Sequence, residues 1–298
     1  MKTCERRLVI LNFMQNHPVR MESFEVKSIQ FVLYEHGLGW DLATAEMIIR
    51  NYDGDADGFV LVGVFKHIGF QEPKIHHPAY LRLIRAATRT PVYVSDEIRT
   101  LFSEWTLKKL LQEQPQFFYG KNVLFQCGAL STVLPQIHQS GAQVNSADPF
   151  LILGVPLLLR GPQLLQAYIK AFAPLFNLLV DRGFRQGSDS VLQRVDATLA
   201  RWMPDFDVFV SFGTFLSVFN SYEYLRGKTV IVDYVEPQIR QKLEENGVAQ
   251  VIEFSPDYSF LKGLPFSQFP VLTAVIDQTR IYEGSRLSFQ DYLLKWLE

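Results

Sequence analysis

The sequence predicts an α/β protein: an N-terminal α/β domain, a doubly wound parallel sheet, and C-terminal helices that pack back on the cleft between the domains. Two observations carry this prediction. Short apolar runs typical of buried strands alternate with helical runs along most of the chain. The 298 residues, of which 48% are hydrophobic, can form two ordinary cores. We place the domains at residues 1–115 and 116–298.

In the first domain, apolar runs predict strands, and runs with apolar residues on one face predict helices. Asp41 is the predicted N-cap of the first helix. The last helix crosses to the second domain. The strands are predicted at 8–14, 24–34, 59–64 and 91–94, and the helices at 41–51, 80–87 and 98–112.

The second domain begins with a βαβ pattern. A strand at 123–127 leads into a turn at Gly128, a helical run follows, and a strand at 142–147 stops at Asp148, 20 residues after Gly128. This spacing is Rossmann-like, because in that fold a diphosphate lies at the N-terminus of the first helix and a carboxylate about 20 residues later binds the ribose. We therefore predict a site for NAD, since a carboxylate repels the 2′-phosphate of NADP.

The predicted cofactor residues in this unit are Gly128, Ala129, Leu130, Ser131 and Asp148. Only the middle glycine of the G-x-G-x-x-G fingerprint is present, since Gln126 and Ser131 occupy the outer two positions. Two alternatives stay open: a βαβ unit that packs but binds nothing, and an Asp148-Pro149 turn that closes the strand.

Alternating elements continue to the C-terminus. The apolar region 150–180 predicts two buried helices rather than a membrane span, because Arg160, Pro162, Lys170 and Pro174 interrupt it. Ser211 and Gly213 follow a strand at the edge where ligands gather, which adds them to the predicted cofactor residues. Further strands are predicted at 208–212, 229–232 and 249–254, and helices at 190–201, 215–224, 237–246, 269–282 and 288–297.

Composition excludes several classes of protein. The formal charge of −2 and the lack of a basic tract exclude a nucleic-acid footprint. Two cysteines cannot form a disulfide scaffold, which favours a cytoplasmic location. No calcium site is expected at Asp53-Gly54-Asp55-Ala56-Asp57-Gly58, because Val64 stands where an EF-hand needs Glu. No metal site is expected at His67, His76 and His77, which we interpret as surface loop histidines.

This order of parts resembles the shikimate and quinate dehydrogenases. The segments DGFVLVGV (57–64), GKNVL (120–124), DPF (148–150), LGVPL (153–157) and GKTVI (227–231) are similar to a bacterial group labelled quinate 5-dehydrogenase. The resemblance implies that Lys66 is a catalytic base for a hydroxyl proton and that Asp96 is its partner. Neither residue has the flanking pattern of that family. A solvated loop lysine and a helix N-cap at Ser95 or Asp96 are the alternatives.

Two functions follow from these observations. The first is an NAD(P)-dependent oxidoreductase that acts on a small hydroxylated ring acid, with Lys66 and Asp96 as catalytic residues. The second is a non-catalytic Rossmann-like protein that senses a ligand or binds a partner. In both, the expected partner is a small molecule, without nucleic acid or membrane, and a homodimer is left open.

Overall fold

The computed structural model describes residues 4–70, 75–181, 189–216, 221–255 and 269–297, and it confirms the α/β class. Two mainly parallel sheets form the two halves of the chain. The long helix that was predicted to link them does so. It carries the chain from the end of the first sheet to the start of the second.

The first sheet has the strand order β2-β3-β1-β4-β7. Its strands are parallel except β2, which forms an antiparallel hairpin with β3. The prediction of one strand at 24–34 is therefore wrong: Lys27 and Ser28, with φ of 49° and 63°, make a tight turn within it. The strands are β1 (Cys4–Asn12), β2 (Arg20–Val26), β3 (Ile29–Gly37), β4 (Gly58–Val62) and β7 (Val92–Tyr93); a separate ribbon contains β5 (His67–Ile68) and β6 (Ile75–His76).

Three helices accompany this sheet: α1 (Leu42–Tyr52), α2 (Pro78–Ala86) and the linking helix α3 (Asp96–Glu113). Asp41 caps α1 as predicted, because its carboxylate accepts a hydrogen bond of 3.0 Å from the backbone N–H of Thr44. The apolar faces of α1 and α2 pack against β1 and β4 in one core.

The second sheet has the order β10-β9-β8-β11-β12-β13, and all its strands are parallel except the two-residue edge strand β10. The central strands are buried on both faces, which explains their nearly continuous apolar sequence. The strands are β8 (Asn122–Phe125), β9 (Gln143–Ser146), β10 (Leu159–Arg160), β11 (Val208–Ser211), β12 (Thr229–Val232) and β13 (Gln250–Glu253).

The helices of this half differ from the prediction in two places. The run after Gly128 is a short 3-10 turn, Gly128–Leu130, followed by a separate helix. The predicted helix 215–224 falls partly on residues 217–220, which lie outside the described residues; a short helix precedes them and a 3-10 turn, Glu223–Leu225, follows. The helices are α4 (Leu134–Gln139), α5 (Asp148–Leu153), α6 (Gly161–Asp181), α7 (Asp189–Trp202), α8 (Gly213–Leu216) and α9 (Pro237–Glu245).

The C-terminal helices α10 (Phe269–Tyr282) and α11 (Phe289–Leu297) return to the first half of the molecule. Val271, Ala274 and Val275 of α10 pack against the first sheet. The Tyr93 hydroxyl also donates a hydrogen bond of 2.9 Å to Asp277. The other buried side chains of α10 and α11 pack with Ile98 and Phe102 of the linking helix α3. The predicted domain boundary, which groups these helices with the second domain, stays a prediction.

Two acidic side chains of the loop after α1 form hydrogen bonds or an ion pair with other residues of the protein. The Asp53 carboxylate accepts hydrogen bonds from the Thr88 hydroxyl and from the backbone N–H groups of Thr88, Arg89 and Thr90, which together hold the pKa of Asp53 well below its usual range. Asp57 pairs with Arg6 at 2.7 Å. These contacts account for two acidic residues of the EF-hand-like segment as structural groups.

Two of the three histidines, His67 and His76, lie in a short β-ribbon and not in the surface loops that were predicted for them. The rings of His67 and His76 lie 4.7 Å apart across the β5–β6 ribbon, and burial lowers the pKa of the adjacent His77 to about 4. Within the described part of the chain there is no group of three or more His, Cys, Asp or Glu side chains suited to a metal ion. The described helices include none long and apolar enough to cross a membrane.

Candidate functional site in the crevice between the sheets

The carboxyl ends of strands from both sheets meet at one crevice. Phe65 and Asp96 follow β4 and β7 of the first sheet, while Cys127, Phe212 and Asp233 follow β8, β11 and β12 of the second. Ring contacts join the two sides, since the centroids of Phe65 and Phe212 lie 6.3 Å apart. In open α/β sheets this edge is the usual place for a ligand.

Arg99 lies at the centre of this crevice. It belongs to the first turn of α3 and is only 6% exposed. Its guanidinium carbon lies 4.4 Å from the ring centroid of Phe65 and 4.9 Å from that of Phe212, so the cation contacts both aromatic rings. Its Nη1 atom is buried without a hydrogen-bond partner.

The charge of Arg99 is set by its neighbours. Burial lowers the pKa of Arg99, while Asp96 and Asp233 raise it. An arginine nevertheless stays protonated in proteins, because its ordinary pKa exceeds 12. The structure therefore places a permanent cation, with the donors of its Nη1 atom unused, in a buried position.

A cavity of about 30 Å³ lies beside Arg99. This volume suits two or three water molecules or one small polar group. Its walls combine apolar side chains with hydroxyls and one carboxylate: Arg99, Ser103, Phe125, Cys127, Leu130, Ser131, Thr132, Val133, Val210, Ser211, Phe212, Asp233 and Phe254. The predicted residues Leu130, Ser131 and Ser211 are thus brought together, around Arg99.

Lys66 and Asp96 are neighbours at the same crevice, but the Asp96 carboxylate contacts the backbone of Lys66. The Asp96 Oδ1 atom accepts hydrogen bonds from the backbone N–H groups of Lys66 at 2.7 Å and His67 at 3.1 Å. Its Oδ2 atom is buried without a partner. Among the described residues, the Lys66 ammonium forms no ion pair with Asp96. The Lys66–Asp96 dyad stays a prediction.

The capping alternative for this segment is right about the position of Ser95, but not about a capping side chain. Ser95 is the N-cap residue of α3, but its side chain makes no cap hydrogen bond. Asp96 is the first residue within the helix. Its Oδ1 atom accepts hydrogen bonds from the loop after β4 and not from the helix N-terminus. Asp96 therefore ties that loop, which carries Phe65, to the helix that carries Arg99.

Asp148 is placed against the glycine turn. It is fully buried, and its carboxylate accepts hydrogen bonds from the backbone N–H groups of Gly128 at 2.8 Å and Ala129 at 3.1 Å. The Ser146 hydroxyl donates a further hydrogen bond to it. Burial raises the pKa of Asp148, while these hydrogen bonds lower it. The amides that would meet a diphosphate are bonded to a carboxylate of the chain itself.

The space around Gly128 is also filled. A Cβ atom added there would lie 2.5 Å from the Ser146 hydroxyl oxygen, 2.7 Å from Leu165 and 2.9 Å from Leu134. The backbone carbonyl of Ala129 accepts a hydrogen bond of 2.8 Å from Gly69 on the first domain. The residues at the predicted NAD site therefore do not fit a dinucleotide in this arrangement, because both the donors and the space that its diphosphate needs are used.

The fold itself explains why position 213 is a glycine. Its backbone N–H donates a hydrogen bond of 2.7 Å to Asp233, and a Cβ atom there would overlap the backbone carbonyl oxygen of Tyr234. The absence of a side chain thus lets two strand ends approach each other. Among the phenylalanines around this strand, Phe206 and Phe209 are core residues and Phe212 faces the crevice.

The sequence analysis missed Arg99, although a signal for it is present. Ile98 and Phe102 are buried on one face of α3, and Arg99 and Ser103 are buried beside them. A basic residue in the first turn of a helix is also unfavourable beside the positive end of the helix dipole. An arginine at such a position is therefore unusual on two counts.

The comparisons with known proteins identify families without a described activity. A model described as domain of unknown function DUF8754 matches residues 97–294, and one described as domain of unknown function DUF8753 matches residues 15–94. No curated protein sequence matches the chain.

Several solved structures resemble the chain at low identity. Glutamate dehydrogenase from Thermus thermophilus is 10% identical with a TM-score of 0.44, over 99% of this chain and 73% of that one. Shikimate dehydrogenase from Aquifex aeolicus is 13% identical with a TM-score of 0.37, over 98% and 97%. Ornithine transcarbamoylase from Giardia lamblia is 10% identical with a TM-score of 0.31, over 92% and 86%. Likeness at this level assigns no reaction.

Proposed function

The chain belongs to the family described as domain of unknown function DUF8754, and from the geometry of its own residues we propose that it binds a small carboxylate in the crevice between its two sheets. Arg99 holds the carboxylate in this proposal. The protein is then a ligand-binding member of the Rossmann-like architecture that needs no dinucleotide.

One observation carries the proposal: the Nη1 atom of Arg99 is buried and unpartnered beside a cavity. A buried polar group without a hydrogen-bond partner costs roughly 1–3 kcal/mol, and more when the group is charged. A carboxylate supplies the missing acceptor and matches the planar fork of a guanidinium. Phe65 and Phe212 both contact the guanidinium and restrict its position.

Arg99→Gln is expected to weaken the binding of a small carboxylate. A hydrogen bond to a charged group contributes roughly 1.5–3 kcal/mol, which corresponds to a roughly 10- to 100-fold change in Kd. Saturation-transfer NMR titrations with acetate, propionate, lactate and alanine measure Kd. The matched control is Arg85→Gln on exposed α2 surface, which should bind as the wild type does. Binding by none of the four compounds, or equal losses in both variants, contradicts the proposal.

A dehydrogenase acting on a small hydroxylated ring acid is the second candidate. It is favoured by Lys66, which is half-buried in the loop after β4 and adjoins Asp96 at the same crevice. Lys66 would take the hydroxyl proton of the substrate, and Arg99 would hold its carboxylate. The resemblance to the quinate 5-dehydrogenase group belongs to this candidate. The occupied amides of Gly128 and Ala129 count against it.

Thermal unfolding with millimolar NAD separates the two candidates. Because the turn amides are already bonded, we expect the wild-type melting temperature to stay unchanged. A site saturated at 100 times Kd would add about 2.7 kcal/mol of stability and raise Tm by a few degrees. Such a rise, together with turnover of a hydroxy acid that Lys66→Ala abolishes, would establish the dehydrogenase.

A further inference from the structure

We infer that the ligand of this crevice is a zwitterion, a small α-amino acid whose carboxylate is bound by Arg99 and whose ammonium group is bound by Asp233. This inference rests on the proposed function and names the class of its ligand. Three features of the crevice carry it: an unused carboxylate oxygen, the sum of the buried charges, and the volume of the cavity.

The first feature is the geometry of Asp233, which lines the same cavity as Arg99. Its Oδ1 atom accepts hydrogen bonds from the backbone N–H groups of Gly213 at 2.7 Å and Tyr234 at 2.9 Å. No described residue donates to its Oδ2 atom, and Asp233 forms no ion pair with Arg99. A cation and a carboxylate thus border one cavity without contacting each other, and a molecule with both kinds of charge can join them.

The second feature is the balance of charge. Asp96, Arg99 and Asp233 carry two negative charges and one positive charge when ionised, and Arg99 interacts electrostatically with each of the two carboxylates. A simple carboxylate would add another negative charge where the local dielectric constant is low. A zwitterion leaves the total unchanged, because its ammonium group offsets its own carboxylate. The site therefore favours an amino acid over an acid without an amino group.

The third feature is size. A cavity of about 30 Å³ receives little more than the charged head of such a molecule, so glycine and alanine fit better than a residue with a long side chain. The hydroxyls of Ser103 and Thr132 line the same space, and Ser131, only 8% exposed, lies beside them. These groups supply acceptors for the remaining ammonium hydrogens.

Titration of the wild-type protein with three matched probes tests the inference. L-alanine carries both charged groups. Propionate carries only the carboxylate, and ethylamine carries only the ammonium group. We expect alanine to bind at least about tenfold more tightly than either of the others, because each lost charged contact contributes roughly 1.5–3 kcal/mol. Lactate, which replaces the ammonium with a hydroxyl, should bind between alanine and propionate.

Asp233→Asn provides the second measurement. The amide keeps the oxygen that accepts from Gly213 and Tyr234, but it replaces the free carboxylate oxygen with a donor. We expect alanine to lose about tenfold or more in affinity, while propionate keeps or gains affinity because a negative charge has been removed.

The outcomes separate this inference from the proposed function. If propionate or lactate binds as tightly as alanine, the zwitterion inference is wrong while a carboxylate site stands. If ethylamine binds as tightly as alanine, both are wrong, because Arg99 then has no part in binding. If no probe binds, the proposed function itself fails. The wild-type comparison decides these cases even if Asp233→Asn does not fold.

Discussion

Asp148→Ala is expected to lower the free energy of unfolding by about 2–6 kcal/mol, because it leaves two buried donors without an acceptor and each costs about 1–3 kcal/mol. Those donors are the Ala129 N–H and the Ser146 hydroxyl, while the Gly128 N–H keeps the Ser146 oxygen as its acceptor. Urea denaturation measures the change through the midpoint at constant m. The matched control is Asp55→Ala in an exposed loop, which should stay within about 0.5 kcal/mol of the wild type.

The effect of pH gives the same variant a second readout. Burial raises the pKa of Asp148 above 3.8 in the folded state, so the folded state binds that proton more tightly than the unfolded state. Relative to Asp148→Ala, the wild type should therefore lose stability as the pH rises through the folded-state pKa. If Asp148 bound a cofactor from an exposed position, the variant would instead keep its stability and lose only NAD affinity.

Gly213→Ala is expected to lower the free energy of unfolding by about 3 kcal/mol or more, because the added methyl group would overlap the backbone of Tyr234 and a strand end would have to move. The loss should appear in urea denaturation without any ligand. A position that needed glycine only for a cofactor would lose cofactor affinity and keep its stability.

Gly227→Ala is the matched control for this prediction. Gly227 has φ of 72° and no atom within 4 Å of an added Cβ, so alanine there meets backbone strain alone. That strain costs roughly 1–2 kcal/mol. If Gly213→Ala costs no more than Gly227→Ala, close approach of Tyr234 is not the reason for glycine at 213.

The prediction of the fold from sequence succeeded where local pattern and tertiary structure agree. The strand from Val123 and the helix capped by Asp41 are both marked by neighbouring residues, so the sequence around them was sufficient. The hairpin at Lys27 and Ser28 was missed, because neither residue is the glycine or asparagine that usually signals a turn with positive φ.

The site was harder to predict than the fold, and Asp148 shows why. Its spacing from Gly128 matches that of a ribose-binding carboxylate, yet spacing along the chain does not specify which way a side chain points. In the folded protein it points inward, to the turn amides. The alternative that the βαβ unit packs without binding a dinucleotide describes this arrangement better.

By itself, the sequence determined the α/β class, the order of most elements and the edge of the sheets at which a ligand would lie, because these depend on periodicity and on the direction of parallel strands. Only the tertiary structure decided which side chains are already paired. It joins Asp148 to the glycine turn and leaves the Nη1 atom of Arg99, beside Phe65 and Phe212, without a hydrogen-bond partner. Pairing of buried charges depends on contacts between residues far apart in the chain, and no local pattern records them.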